Sequence, residues 1–191
     1  GQLLQGGQTQ PVALTGKSTV AVLLHDGKQQ SGLKSFAVRY NGELKAKNYS
    51  EGPLILNVSG TPAEINIEEL YHQGLAGKVD ANGYVRLNNG FAWDLKANLE
   101  NFKPHYFVSN IQGNVSGKLN TSGQWSDKQK FVLLRDLNLF GQLQNKPLVG
   151  KGNLALSFSQ ANSLLPTQFE ANNLLLSYAN NVVYATGNAQ R

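Results

Sequence analysis

Gly113-Asn114-Val115-Ser116-Gly117-Lys118-Leu119-Asn120-Thr121 is the stretch that decides the fold. Val115 and Leu119, with Gly117 between them, point to one side, and Asn114, Ser116, Lys118 and Asn120 point to the other. A period of two is the mark of a strand with one apolar and one wet face. The same beat returns in Trp93, Leu95, Ala97 and Leu99 against Asp94, Lys96, Asn98 and Glu100. It returns again in Leu154, Leu156 and Phe158 against Asn153, Ala155 and Ser157. Helical periodicity is weak everywhere, so the chain reads as all-β.

Strand candidates recur at about ten-residue spacing, as all-β architectures require. They fall at 18–25, 34–41, 43–48, 53–59, 63–70, 75–81 and 83–88, then at 91–100, 111–122, 131–144, 147–159, 168–178 and 181–189. Asp26-Gly27, Asn41-Gly42, Asn82-Gly83, Asn89-Gly90 and Asn180-Asn181 supply turn chemistry, since these residues accept positive φ. Asn41-Gly42, Asn82-Gly83 and Asn89-Gly90 are read as tight hairpins. At most one helical turn is expected at 102–107, where Pro104 suits a first turn, and another at 159–165. Residues 1–11 are rich in Gln and Gly and read as a flexible start; 12–191 reads as a single repeating β segment. With no Met in 191 residues, the chain is expected to be a fragment of a longer protein.

Composition narrows the function. Charged residues make up 15% of the chain against about 25% in ordinary domains, and Asn, Gln, Ser and Thr take their place. The wet face is therefore polar but mostly neutral, unlike the highly charged composition of disordered chains. The net charge of +5 raises nucleic acid or an anionic surface as partners. The lysines are scattered, however, and the densest groups, Lys45-Ala46-Lys47 and Lys128-Gln129-Lys130, sit at turns. We read them as solubility and edge protection, and no nucleic-acid partner is expected. There is no Cys, which excludes disulfides, zinc-thiolate sites and thiol catalysis.

Catalytic motifs fail one by one. Gly16-Lys17-Ser18-Thr19 resembles the end of a phosphate-binding loop, but Pro11 stands where that motif needs Gly, and Val20–Leu24 reads as strand rather than helix. Ser31-Gly32-Leu33-Lys34 has the Ser-x-x-Lys form without its companion motifs. His25, His72 and His105 lie far apart, with no metal-ligand spacing. Glu68 and Glu69 are adjacent, so on a strand they face opposite sides and cannot act as a carboxylate pair. No enzyme, metal or cofactor is expected.

What the chain does offer is a repeated apolar face. The inward candidates are Trp93, Leu95 and Leu99, then Val115 and Leu119, then Leu137, Leu139 and Leu143. They continue with Leu154, Leu156 and Phe158, then Leu174, Leu176 and Tyr178, and end with Val182 and Tyr184. Alternation alone leaves two readings open: a filled sandwich or barrel, or a long twisted antiparallel sheet curled into an open trough. Each Leu sealed in a sandwich would gain about 1.5–3 kcal/mol. In a trough the same face would await a guest, and ten methylenes of an acyl chain would recover about 8 kcal/mol.

Two segments carry a resemblance. The first runs from Trp93-Asp94-Leu95-Lys96-Ala97-Asn98-Leu99 through Pro104 to Gly113-Asn114-Val115-Ser116-Gly117-Lys118-Leu119 and Gly123. It is similar to the repeat of the TamB family, the inner-membrane subunit of the translocation and assembly module. There a Trp-x-Leu strand leads through a Pro and aromatic loop to a Gly-x-Leu-Ser-Gly-x-Leu strand; Val115 stands here in place of the usual Leu. The second, Phe169-Glu170-Ala171-Asn172-Asn173-Leu174-Leu175-Leu176 with Asn181-Val182-Val183-Tyr184-Ala185-Thr186-Gly187, resembles that family's closing strand pair. The likeness covers roughly 84–189, and residues 1–70 match only in texture.

The resemblance implies an internal periplasmic section of a long Gram-negative envelope protein, with its inner-membrane anchor outside this fragment. It implies an open trough (a β-taco) with an apolar concave face that carries phospholipid acyl chains between inner and outer membrane, or supports outer-membrane protein assembly. An Omp85-type barrel partner would bind elsewhere, and β-barrel client proteins would be further partners, met at raw sheet edges. The alternative is a β-rich adhesin or autotransporter-like scaffold with a closed core.

Overall fold

The computed structural model describes residues 2–5, 8–25, 32–46, 51–88, 90–106, 108, 110–159 and 165–190. Strands occupy nearly all of it: β1 (Gln2–Gln5), β2 (Gln8–Leu24), β3 (Leu33–Ala46), β4 (Gly52–Thr61), β5 (Glu64–Gly74) and β6 (Gly77–Arg86). They continue as β7 (Phe91–Phe102), β8 (Gly113–Trp125), β9 (Lys130–Leu143), β10 (Lys146–Phe158), β11 (Pro166–Tyr178) and β12 (Asn181–Gln190). One 3-10 turn, Pro104–Tyr106, lies between β7 and β8, where a single helical turn is expected from Pro104. Of the second expected turn, 160–164 lie outside the described residues.

Every strand pairs antiparallel with its neighbour in sequence, in the order β1 to β12. β1 meets only Gln8–Pro11 of β2, within the stretch read as a flexible start. From β2 to β12 eleven strands form one continuous antiparallel sheet, and among the described residues β12 has no second partner. The sheet is therefore not closed into a barrel. All substantial contacts between elements join elements close in sequence, strand to next strand and the 3-10 turn to the β8 that follows it. Among the described residues no second sheet or long helix covers either face, and only six apolar residues are buried.

Two expected hairpins are overturned. β3 runs straight through Asn41-Gly42, and β6 runs straight through Asn82-Gly83. At both places the glycine answers a close approach of backbones, not a turn. A Cβ on Gly42 would meet the carbonyl of Thr15 on β2 and the Tyr40 hydroxyl, and one on Gly83 (φ 141°) would meet the carbonyl of Asp94 on β7. Asp26-Gly27 and Asn89 fall outside the described residues. A reversal does occur at Ala179-Asn180, with Ala179 at φ 56°. The β9–β10 reversal uses Gln144-Asn145, both at positive φ (51° and 59°), which is the geometry of a two-residue hairpin loop matched to strand twist.

A device recurs at every second strand. β5, β7, β9 and β11 each hold one residue more than their neighbours, at Glu68-Glu69, Glu100-Asn101, Arg135-Asp136 and Asn172-Asn173. The sequence around each is apolar, two polar, apolar: Ile67 to Leu70, Leu99 to Phe102, Leu134 to Leu137 and Ala171 to Leu174. On a regular strand a spacing of three would bring the second apolar residue out on the wrong face, and the bulge returns it to the first. Asn101, Asp136 and Asn173 take φ of 49°, 50° and 48°, a region that Asn and Asp tolerate best among residues with a Cβ. The next strand satisfies each displaced amide: Asn101 N–H donates to Ser116 Oγ (2.9 Å), Asp136 N–H to Asn153 Oδ1 (2.8 Å) and Asn173 N–H to Thr186 Oγ1 (3.2 Å).

Candidate functional site

Residues directly opposed in an antiparallel ladder share a face, so the registers assign every side chain. One row crosses the sheet as Phe36, Gly60, Ile65, Val85, Trp93, Gly123, Val132, Leu156, Phe169 and Ala189. A second runs Tyr40, Leu56, Leu70, Ala81, Ala97 and Leu119. On the other face the matching rows hold residues such as Asn57, Asp80, Asn98, Lys118, Asn138 and Lys151.

Fourteen of the sixteen inward candidates share the first face: Trp93, Leu95, Leu99, Val115, Leu119, Leu137, Leu139, Leu143, Leu154, Leu156, Phe158, Leu174, Leu176 and Tyr178. Val182 and Tyr184 do not. They oppose Ser177 and Leu175, while Val183 and Ala185 oppose Leu176 and Leu174. The physical reason is the β11–β12 turn: Asn181 lies opposite Tyr178 and so begins β12 on the first face, which makes the odd-numbered residues after it the ones that share that face. Sequence reasoning also missed the β3–β6 part of the face, where Leu54, Leu56, Val58, Ile65, Ile67 and Leu70 continue it. Their alternation is as regular, but it breaks at Glu68-Glu69 and carries no resemblance to flag it.

Exposure along this face varies from residue to residue. Leu174 is 2% exposed, Leu137 6% and Val115 7%. Trp93, Leu95, Leu99, Leu119, Leu139, Leu154, Leu156 and Phe158 are half-buried. Leu176 and Tyr178 reach 39%, and Leu14, Val20 and Val22 on β2 are more exposed still. The buried residues are covered by their own neighbours: Leu137 and Leu176 lie over Gly150, whose missing side chain makes room for them. Gly123 likewise makes room for the Trp93 indole, whose Nε1–H donates to Thr121 Oγ1 (3.2 Å).

Charge stays off the middle of the face. Within β4–β12 the charged residues on it are Lys130 and Lys146, each the first of its strand. The ion pairs Arg86–Glu64 (2.9 Å), Arg135–Asp94 (2.9 Å) and Lys78–Glu100 (3.6 Å) lie on the other face. Hydrogen bonding to Glu64, and then its charge, raises the Arg86 pKa above its ordinary value.

The remaining motifs assemble no chemistry. Gly16–Thr19 lies inside β2, and Ser31 falls outside the described residues. The expectation that Glu68 and Glu69 face opposite sides is overturned. Glu69 accepts from Asn57 Nδ2 (2.7 Å) and Glu68 from Ser59 Oγ (3.0 Å). Asn57 and Ser59 are two apart on β4, so the bulge turns both carboxylates to one face. His72 Nδ1 donates to the Pro53 carbonyl (2.9 Å). Among the described residues no three acidic, His or Cys side chains gather as a metal site, and no helix is long and apolar enough to cross a membrane.

Residues 8–191 match the family model described as TamB, N-terminal domain. Over 163 residues the chain is 29% identical to the translocation and assembly module subunit TamB of Haemophilus influenzae, a match covering 84% of this chain and 12% of that protein. The chain thus spans a small part of its curated relative. No solved structure matches. The family match takes in β2 through β12, the whole of the continuous sheet and both faces of it, and the chain belongs to the TamB family.

Proposed function

We propose that this chain is a non-enzymatic section of a translocation and assembly module subunit in the bacterial envelope. On this reading its first face lines an open, curled trough that carries phospholipid acyl chains through the periplasm between inner and outer membrane. An outer-membrane barrel partner of the Omp85 type, engaging a region beyond this section, and β-barrel clients belong to the same reading.

The observation that carries the proposal is a largely apolar row crossing β2 to β12 in a sheet that has one layer among the described residues. A scaffold with a sealed core needs a second layer to supply the other half of the burial; here the described residues contain none. Half-buried Leu and Val side chains in a continuous strip offer acyl chains about 0.8 kcal/mol per methylene covered, and no charge interrupts the strip between its lips.

Photo-crosslinking in cells tests this, with the probe placed in the full-length protein at Leu156 on the first face or at Ser157 on the second. Phospholipid adducts at 156 and none at 157 are expected. Equal yields, or none at either, would return Leu156 to an ordinary structural role.

A further inference from the structure

The strand ends near the β8–β9 turn differ from the rest of the face. Their outermost row reads Phe91, Trp125, Lys130 and Phe158 across β7 to β10. Trp125 and Phe158 bring their ring centroids within 5.3 Å, as do Phe91 and Trp93. Lys130 Nζ stands 5.7 Å from the Trp125 ring centroid. Trp beside lysine is a combination found where hydrocarbon gives way to water, because each presents an apolar body and a polar tip; Phe91 and Phe158 extend its apolar side. Deeper in the face the residues are almost all Leu, Val, Ala and Gly.

The turn itself is held rigid. Ser126, 9% exposed, donates its hydroxyl to the Gln129 carbonyl (3.1 Å) and accepts from the Gln129 amide (3.1 Å), and the Ser126 amide donates to the same carbonyl (2.9 Å). A cavity of about 630 Å³ opens there, lined by Gly90, Gln124, Trp125, Ser126, Asp127, Lys128 and Lys130. Two lysines against one aspartate leave it with a net positive charge, at the boundary between the apolar face and water.

We infer that this lip binds the phosphodiester headgroup of a lipid whose tails lie on the first face, with Lys128 and Lys130 facing the phosphate and Trp125 packing against the glycerol region. The inference rests on the proposed function, and it adds an orientation: heads leave the trough at the β8–β9 side. The opposite lip has Lys146 and Tyr178, but there the Tyr178 hydroxyl is turned back onto the sheet, donating to the Leu143 carbonyl (3.4 Å).

The test uses the full-length protein with vesicles of phosphatidylethanolamine and phosphatidylglycerol. These are doped with one of two photoactivatable phosphatidylethanolamines, reactive either at the headgroup amine or at the end of an acyl chain. Head-probe adducts are expected on peptides containing 124–130, and tail-probe adducts on peptides containing Leu137 or Leu154. A Lys128→Glu/Lys130→Glu variant should cut head-probe yield by about fivefold, the factor equivalent to the strongest exposed ion pairs, while tail-probe adducts persist and report an intact face. Lys146→Glu should leave both yields unchanged. Tail adducts in place with head adducts scattered, or concentrated at Lys146, would overturn the inference and leave the proposed function standing. Loss of all tail adducts in the unaltered protein would overturn both. Displacement of the head adducts by inorganic phosphate would reduce the lip to a free-anion site and overturn its assignment to lipid.

Discussion

At the scale of single residues, exposure separates side chains that look alike in sequence. Leu174 and Val182 each follow an Asn and precede an apolar residue, yet they are 2% and 64% exposed. Leu174→Ala is expected to cost about 2–3 kcal/mol, the lower part of the usual range because an open face can relax around the gap. Val182→Ala should stay within about 0.5 kcal/mol. Urea midpoints of the two variants at constant slope check this. The bulges make a second residue-level case. Asn153→Ala removes the acceptor of the Asp136 amide, and because water reaches that group the loss should be only about 1 kcal/mol. Gly152→Ala should do more damage, about 1–3 kcal/mol, since φ is 103° and the new Cβ would run into the Asn173 carbonyl. If the two variants lost equal stability, the bulge would not be the constraint it is taken to be.

Elements show what a sequence can disclose and what it conceals. Strand character was legible throughout β7 to β12 because period-two alternation is local. The hairpins expected at Asn41-Gly42 and Asn82-Gly83 failed because a glycine accepting positive φ serves equally to let two backbones approach, and only the paired strand distinguishes the uses. The face of β12 was misread because the position of its first residue opposite Tyr178, not its own alternation, sets which residues share the face. The bulges left a visible trace, an apolar residue displaced by one after two polar ones, but a single instance reads as noise. Four instances at alternate strands make it a rule. Deleting Asn173 should therefore be absorbed: Ala171-Asn172-Leu174 would stand two-for-two against Gly187 to Ala185, and Leu174, Leu176 and Tyr178 would keep their face. Deleting Leu175 instead removes a residue from a regular stretch, so either Leu174 or the Leu176 and Tyr178 pair would have to change face, or β11 slip against β10 and β12. Hydrogen exchange should show lost protection across β11 and β12 for the Leu175 deletion alone, with β4 to β8 unchanged in both. Equal protection in the two deletions would mean that the ladder absorbs a deletion without using register.

At the scale of the whole molecule, a one-layer sheet in which each strand touches only its sequence neighbours behaves as a linear array. Its apolar residues form a strip that any acyl chain would have to follow past each strand in turn. Passage in series has a consequence that a sealed core lacks: one barrier anywhere on the strip stops everything. A carboxylate at Leu156, within the row from Trp93 to Phe169, would force passing methylenes against a charge that resists desolvation. On the proposed function, Leu156→Glu in the full-length protein should abolish its phospholipid transfer between the two membranes, while Ser157→Glu on the opposite face leaves transfer near normal. Measuring the protein's level alongside transfer separates blockade from misfolding. A half-buried position at the open face can turn a carboxylate toward water, so the level is expected to hold. If Leu156→Glu lowered the level while the surviving protein transferred lipid at its usual rate per molecule, position 156 would be acting in folding alone. Transfer lost at an unchanged level is the outcome specific to a strip that lipid must traverse.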